Sequence, residues 1–309
     1  MRKALLSGMV LAAMWLALPI PSHGQDWAEI EVQAIPVRPG IVMLVGAGGN
    51  IGALVGERAT LIVDSQFPQL HEKIVAALAA AGGGPVRFLL NTNWHSDHVS
   101  GNELFRQTGT VLIGHEGCPS RMKEAQYHAV LDEESPVFPP SAWPEITFTD
   151  SLTLHVNGEE IEAHHVPGAH SDADAFYIFR NANVIHTGDL FFSGGYPYVD
   201  LTNGGSVDGA IAAADRILTY CHDDTRLIPG HGPLAGAQRL QQYRAMLVAI
   251  RDRVARLIAE GRTLDEVLAA KVTADMDAAW NQDGVTPEQF IALVYGDLAR
   301  ARSVPAANR

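Results

Sequence analysis

Ten residues, Leu89 to His98, read Leu-Leu-Asn-Thr-Asn-Trp-His-Ser-Asp-His. An apolar strand, Val86 to Leu90, breaks here into a loop that carries Asn93, His95, Asp97 and His98. Positions 93, 95 and 97 alternate along an extended segment, so their side chains can share one face. His98 follows where the chain turns toward a helix expected over Gly101 to Gln107. Imidazoles and a carboxylate converging at a strand end form a donor set for zinc or a similar borderline metal. One His-x-Asp-His is weak evidence, because polar loops after strands are common. Three further stretches strengthen it. His170 lies in Val166-Pro-Gly-Ala-His-Ser-Asp172, Asp189 in His186-Thr-Gly-Asp-Leu190, and His231 in Leu227-Ile-Pro-Gly-His-Gly-Pro233. Each follows an apolar strand-like run and sits beside glycine. Four strand ends therefore each present a metal donor in a loosened loop.

This order of motifs resembles the metallo-β-lactamase superfamily, whose pattern is His-x-His-x-Asp-His, a lone His, a lone Asp and a lone His. Here it reads Asn93-x-His95-x-Asp97-His98, His170, Asp189, His231, and the resemblance runs from about Ile30 to Leu298. It implies an α/β (α+β) fold, a four-layer αββα sandwich with a dinuclear zinc site at one edge. It also implies one zinc on His95 and His170 with position 93, a second on Asp97, His98 and His231, and Asp189 bridging both. A metal-bound hydroxide would then attack an acyl carbonyl, with Asp97 orienting the water and passing a proton. Asn93 departs from the pattern, because a neutral amide is a poorer ligand than imidazole. The expectation is one tight zinc and one weaker, up to two per chain. Asp64, ending a strand in Ile62-Val63-Asp64-Ser65, would support the metal loop from outside the ligand set, and His186 is a second candidate for that role. Trp94, Tyr196 and Tyr198 are weaker candidates for the substrate pocket.

The elements that must position these residues can be read in order. Arg2 and Lys3, the apolar run Ala4 to Leu18 and the exit Pro19 to Gly24 form a secretory signal, which divides the chain into 1–24 and a hydrolase domain over 25–309. The run is short for a membrane span, so the expected location is the periplasm or outside the cell, with no membrane contact once the leader is removed. Short β-branched strands are expected at Ile30–Ile35, Ile41–Val45, Ile51–Val55 and Ala59–Val63. Between the second and third, Gly46-Ala47-Gly48-Gly49-Asn50 reads as a mobile flap beside the site. A helix is expected over Pro68–Ala81, a strand at Thr110–Ile113 and a polar helical stretch over Glu116–Leu131. Proline-rich sequence from Pro136 to Pro144 then joins two halves. Strands resume at Ile146–Phe148, Leu152–Val156, Glu160–His165 (after an Asn157-Gly158 turn), Ala175–Phe179 and Val184–Thr187. A helix over Val207–Tyr220, a strand at Arg226–Ile228 and C-terminal helices from Leu240 onward complete the chain. His71, His115, His128, His155 and His222 read as surface residues.

The formal charge is −13, and would be −15 once Arg2 and Lys3 leave with the leader. Such an acidic chain does not suit nucleic-acid phosphates. The two cysteines, Cys118 and Cys221, fall at no motif position and do not make a disulfide framework. Three functions follow. The first is an exported zinc hydrolase that opens a β-lactam, an antibiotic-resistance role. The second is a hydrolase of lactones, thioesters or esters, of the glyoxalase II or lactonase type, which Asp189 favours. The third is a zinc-binding protein without catalysis. The first expectation lacks one support: Leu190, Phe191 and Phe192 stand where many true β-lactamases place a lysine for the substrate carboxylate. The partner in the first two readings is a small molecule with an acyl bond; oligomeric state is not legible.

Overall fold

The computed structural model describes residues 26–282 and 284–303, so the expected leader lies outside the described residues. The first sheet has seven strands, β1 (Gln33–Arg38), β2 (Ile41–Val45), β3 (Ile51–Leu54), β4 (Thr60–Val63), β5 (Val86–Leu90), β6 (Val111–His115) and β9 (Ile146–Phe148), in that spatial order. A small hairpin, β7 (Gln126–His128) and β8 (Glu133–Ser135), stands apart from it. The second sheet orders β10 (Ser151–Val156), β11 (Glu159–Val166), β12 (Asp174–Phe179), β13 (Val184–Phe192), β14 (Arg226–His231) and β15 (Ala235–Gly236). The chain changes sheets at Thr149–Asp150, just after the proline-rich stretch.

Side-chain alternation with period two builds the layers. On β2, Ile41 and Met43 enter a core shared with Tyr177, Phe179 and Ile161 of the second sheet. Val42 and Leu44 point the other way, toward Ile74 and Leu78 of α1 (His71–Ala80) and Phe105 of α3 (Asn102–Gln107). On β12, Tyr177 and Phe179 face the first sheet, while Phe176 and Ile178 face α5 (Val207–Leu218), α6 (Ala237–Ala259) and α9 (Pro287–Ser303). The result is helix, sheet, sheet, helix, the expected sandwich. Each such aliphatic or aromatic side chain contributes roughly 1.5–3 kcal/mol on burial.

The β10–β11 turn is the expected Asn157-Gly158, with φ of +53° and +79° at the two central residues. Those angles match the right-handed twist of the flanking strands. Short α7 (Leu264–Ala269) opens on a reciprocal cap between Thr263 and Glu266. Both cysteines are free thiols. Among the described residues, no helix is long and apolar enough to cross a membrane.

The first strand runs Gln33–Arg38 rather than Ile30–Ile35, and one expected element is of a different kind. The stretch expected as helix over Glu116–Leu131 is α4 (Gly117–Met122) only, and the chain then forms the β7–β8 hairpin. Asp132 turns it with φ of +53°. Tertiary contacts override a weakly helical polar sequence here: Ser135 meets Ser96, and His128 enters the site described below.

Candidate metal centre

Strands β4 and β5 run parallel, as do β13 and β14, and the loops leaving their C-terminal ends meet at the same edge of the sandwich. That is where open α/β sheets leave a crevice. Asp64, just past β4, adopts φ of +68° and is fully buried. Its carboxylate accepts the backbone N–H of Thr92 (2.8 Å), the Thr92 hydroxyl (2.7 Å) and Nδ1–H of His98 (2.8 Å). These bonds tie down the loop after β5 and fix the His98 tautomer, leaving Nε2 bare. On α2 (Ser96–Val99), that Nε2 lies 3.1 Å from Asp189 and 3.4 Å from Asp97. From the end of β14, His231 Nε2 lies 3.1 Å from Asp97 and 3.4 Å from Asp189.

Four donors thus surround one point. Zinc bonds of about 2.0–2.1 Å place tetrahedral ligands about 3.3–3.4 Å apart; the separations here match. His98 Nε2 and Asp189 Oδ1 are buried and make no hydrogen bond, a costly condition unless a cation takes their lone pairs. The residues therefore fit a metal ion on an observation internal to the fold.

The electrostatics agree. Burial disfavours a charged His98, yet Asp189, Asp97 and Asp64 outweigh it and raise the imidazole well above its ordinary pKa. Burial works against ionised Asp97 and Asp189, yet the surrounding imidazoles, His98 foremost, hold both well below the usual carboxylate range. Three carboxylates around one imidazole call for positive charge at this point.

The other half is less complete. His170 Nδ1 is held by Asp174 at 3.1 Å, and its Nε2, also without a hydrogen bond, lies 3.4 Å from Asp189 Oδ2. His95, His170 and Asp189 form a three-donor group. Asn93 does not add a lone pair to it. Its Oδ1 accepts the backbone N–H of His95 (2.8 Å), and its Nδ2 donates toward Asp189 Oδ2 (3.3 Å). The amide presents N–H to the centre.

Glycines let these parts close up. A Cβ on Gly49 would lie 2.2 Å from His98 Cε1, and one on Gly230 would lie 2.1 Å from Asp189 Oδ1. The Gly46–Asn50 tip is not a flap. Gly49 N–H donates to Asp97 O, Gln66 donates to Gly49 O, and Asn50 donates to Gly230 O, Pro229 O and Gly232 O. It is a buried wedge that locks the loop after β5 to the loop after β14. Glycine served close packing here rather than motion.

Other candidates fall elsewhere. His186 is fully buried, with Nε2 on Asn50 O and Nδ1 accepting Gly188 N–H, so backbone groups occupy its ring. Burial pushes its pKa down to about 4. Tyr196 bonds Asp277 at 2.8 Å and points away from the metal donors. Trp94 is fully buried and packs edge-on against His95, so it lines no open pocket. Tyr198 does reach the centre, its hydroxyl 3.3 Å from His128 Nδ1. His71, His115 and His128, expected at the surface, are buried. Sequence reasoning missed His128 and Asp200. His95 Nε2 lies 3.2 Å from Asp200 Oδ2, and His128 Nδ1 lies 3.4 Å from the same oxygen. A polar helix was expected around His128, and Asp200 stands in a loop without a motif.

The family model of the metallo-beta-lactamase superfamily matches residues 44–245. The chain belongs to that superfamily. That superfamily is metal-dependent. Among curated proteins it is similar to the hydroxyacylglutathione hydrolase of Pelagibacter ubique (strain HTCC1062), 29% identical over 109 residues, 35% of this chain and 37% of that protein. It is also similar to the hydroxyacylglutathione hydrolase of Prochlorococcus marinus (strain MIT 9312), 24% identical over 139 residues, 45% of this chain and 48% of that protein. The matched stretch spans less than half the length of either relative. Two solved structures share the fold. DIM-1 metallo-beta-lactamase has a TM-score of 0.54 at 18% identity, over 71% of this chain and 98% of that one. The metallo-beta-lactamase of Pontibacter korlensis has a TM-score of 0.56 at 14% identity, over 70% and 99%.

Proposed function

We propose that this superfamily member is an exported zinc hydrolase that cleaves an ester or thioester. One observation carries the reading: Asp97, His98, Asp189 and His231 converge at ligand spacing, and His98 Nε2 and Asp189 Oδ1 among them are buried without a hydrogen bond. Two imidazoles and two carboxylates suit zinc among the borderline cations. Zinc held by these residues would supply Lewis acidity toward a water and a carbonyl oxygen. The chain's own residues do the rest. Asp64 holds His98 in one tautomer, and Asp174 does the same for His170. Asp97 is the most open of the four donors, its side chain 19% exposed. Its ionised carboxylate orients the attacking water, accepts its proton and returns it to the leaving atom.

The ester or thioester rests on two supports. The curated relatives are named for hydrolysing hydroxyacylglutathione, the acyl ester of a thiol. Leu190, Phe191 and Phe192 are buried against the helices behind the second sheet, so the stretch after Asp189 offers no cation to a β-lactam carboxylate. β-Lactam hydrolysis is the competing reading, favoured by the leader expected at residues 1–24. Zinc-loaded protein assayed with a glutathione thioester, a lactone and nitrocefin separates them. Thioester or lactone turnover above nitrocefin turnover is expected. Preference for nitrocefin reverses the assignment, and metal binding without any acyl turnover leaves a zinc-binding protein.

A further inference from the structure

His95, His128 and Asp200 come from three separate places, the loop after β5, the end of β7 and the loop after β13, and all are buried. Their donor atoms lie within 4.8 Å of one another. Asp200 Oδ2 stands 3.2 Å from His95 Nε2 and 3.4 Å from His128 Nδ1, the edges of a tetrahedron around a cation with bonds of about 2.0–2.1 Å. The Asp200 side chain has no solvent exposure. Its partners are Asn203, His95, His128 and Tyr198, none of which carries a permanent positive charge. An ionised carboxylate so buried is costly unless it is compensated.

The His128 ring is held for ligation. Its Nε2 lies 2.8 Å from Ser135 Oγ, which also accepts the Ser96 hydroxyl at 2.9 Å. In the tautomer whose Nε2–H donates to Ser135, the Nδ1 lone pair faces the carboxylate of Asp200. The Tyr198 hydroxyl also reaches Nδ1 (3.3 Å), and a cation between Nδ1 and the carboxylate would draw on both groups. Beneath the ring, Trp94 stacks at 5.8 Å between centroids. The neighbouring group of His95, His170 and Asp189 is poorer: Asn93 closes it with N–H, and Asp189 is already shared with His98 and His231.

We propose that the protein holds its second metal ion on His95, His128 and Asp200, displaced from the place an imidazole at residue 93 would have completed. Two imidazoles and one carboxylate suit a borderline divalent cation, zinc or ferrous iron. The inserted β7–β8 hairpin thereby supplies the ligand that the loop after β5 lacks. The first ion keeps Asp97, His98, His231 and Asp189. The proposal goes beyond the hydrolase reading and does not depend on turnover.

Chelator-stripped full-length protein, labelled with 15N-histidine and titrated with cadmium-113, tests this by the nitrogen–cadmium couplings. Two cadmium resonances are expected, one coupled to His98 and His231, the other to His95 and His128. His128→Gln should remove the second resonance and leave the first, and zinc titration of that variant should show the second ion weakened at least 100-fold. If the variant does not fold, the wild-type couplings decide alone. A second resonance coupled to His95 and His170, with His128 uncoupled, overturns the displaced site and leaves the hydrolase reading intact. So does a single bound cadmium coupled only to His98 and His231. No bound cadmium at all overturns both.

Discussion

The two halves of the centre differ in how they are built. Asp97, His98, Asp189 and His231 come from α2 beyond β5 and from β13 and β14, beside the glycines that let those parts touch. Asp189 and His231 lie on β13 and β14 themselves, Asp97 and His98 on short α2 in the loop after β5, and Asp64 braces His98 from below. The other half joins His95 and His170 to residues in less regular settings: an amide at 93 facing the wrong way, a hairpin outside both sheets, and a carboxylate in a coil. The lesson is that strand ends specify donor positions through the sheet hydrogen-bond ladder. A donor on an inserted hairpin depends on where that hairpin docks.

Breaking the complete half should have the largest effect. Asp189→Ala removes the carboxylate shared by His98, His170 and His231. It should weaken the tight metal ion by more than about 100-fold, read by competition with a chromogenic chelator. An unchanged affinity would remove Asp189 from the centre.

Asp64→Ala comes next. It touches no metal ion by its position, yet orients His98, so a loss of about 10–100-fold in affinity is expected, with the fold retained by circular dichroism. Asn93→His sharpens the contrast from the other side. A new imidazole in the incomplete half should tighten the second ion by about tenfold or more, seen as a higher zinc count after dialysis.

Gly49→Ala tests the wedge. The added methyl meets the His98 ring, so the variant should lose about 1–3 kcal/mol of stability in urea unfolding, and metal affinity should fall with it. A neutral result would mean the wedge moves freely. The last effect concerns His186 and appears only as pH falls. Its folded pKa is pushed down from 6.5 to about 4, so its contribution is fully present above about pH 6.5 and is lost as pH falls toward 4. The loss is on the order of 3 kcal/mol. His186→Gln should flatten urea stability between pH 6.5 and 4 relative to wild type.

Much of this was legible in the residues. The boundaries of β2 and β5 match the expectation at both ends, because β-branched and leucine runs flanked by glycine or asparagine leave little choice. The seven motif positions were found from donors beside glycine at strand ends, and the structure brings His95, Asp97, His98, His170, Asp189 and His231 to one edge. The Gly46–Asn50 tip was misread as mobile, since glycine permits both flexibility and close approach. The Glu116–Leu131 stretch was misread because its polar composition is compatible with a helix, while its hairpin is selected by distant contacts with Ser96 and Asp200.

By itself the chain determined the sandwich and most of the histidines and carboxylates that gather at its edge. Apolar alternation and strand-end motifs are local properties, and burying two-faced sheets leaves few packings. Only the tertiary structure decided that Asn93 turns its amide away from ligation and that Asp200 meets His128. Those outcomes depend on which of several possible hydrogen-bond partners arrives from elsewhere in the chain. No local pattern encodes that arrival, because its energy comes from burying groups hundreds of atoms apart along the backbone.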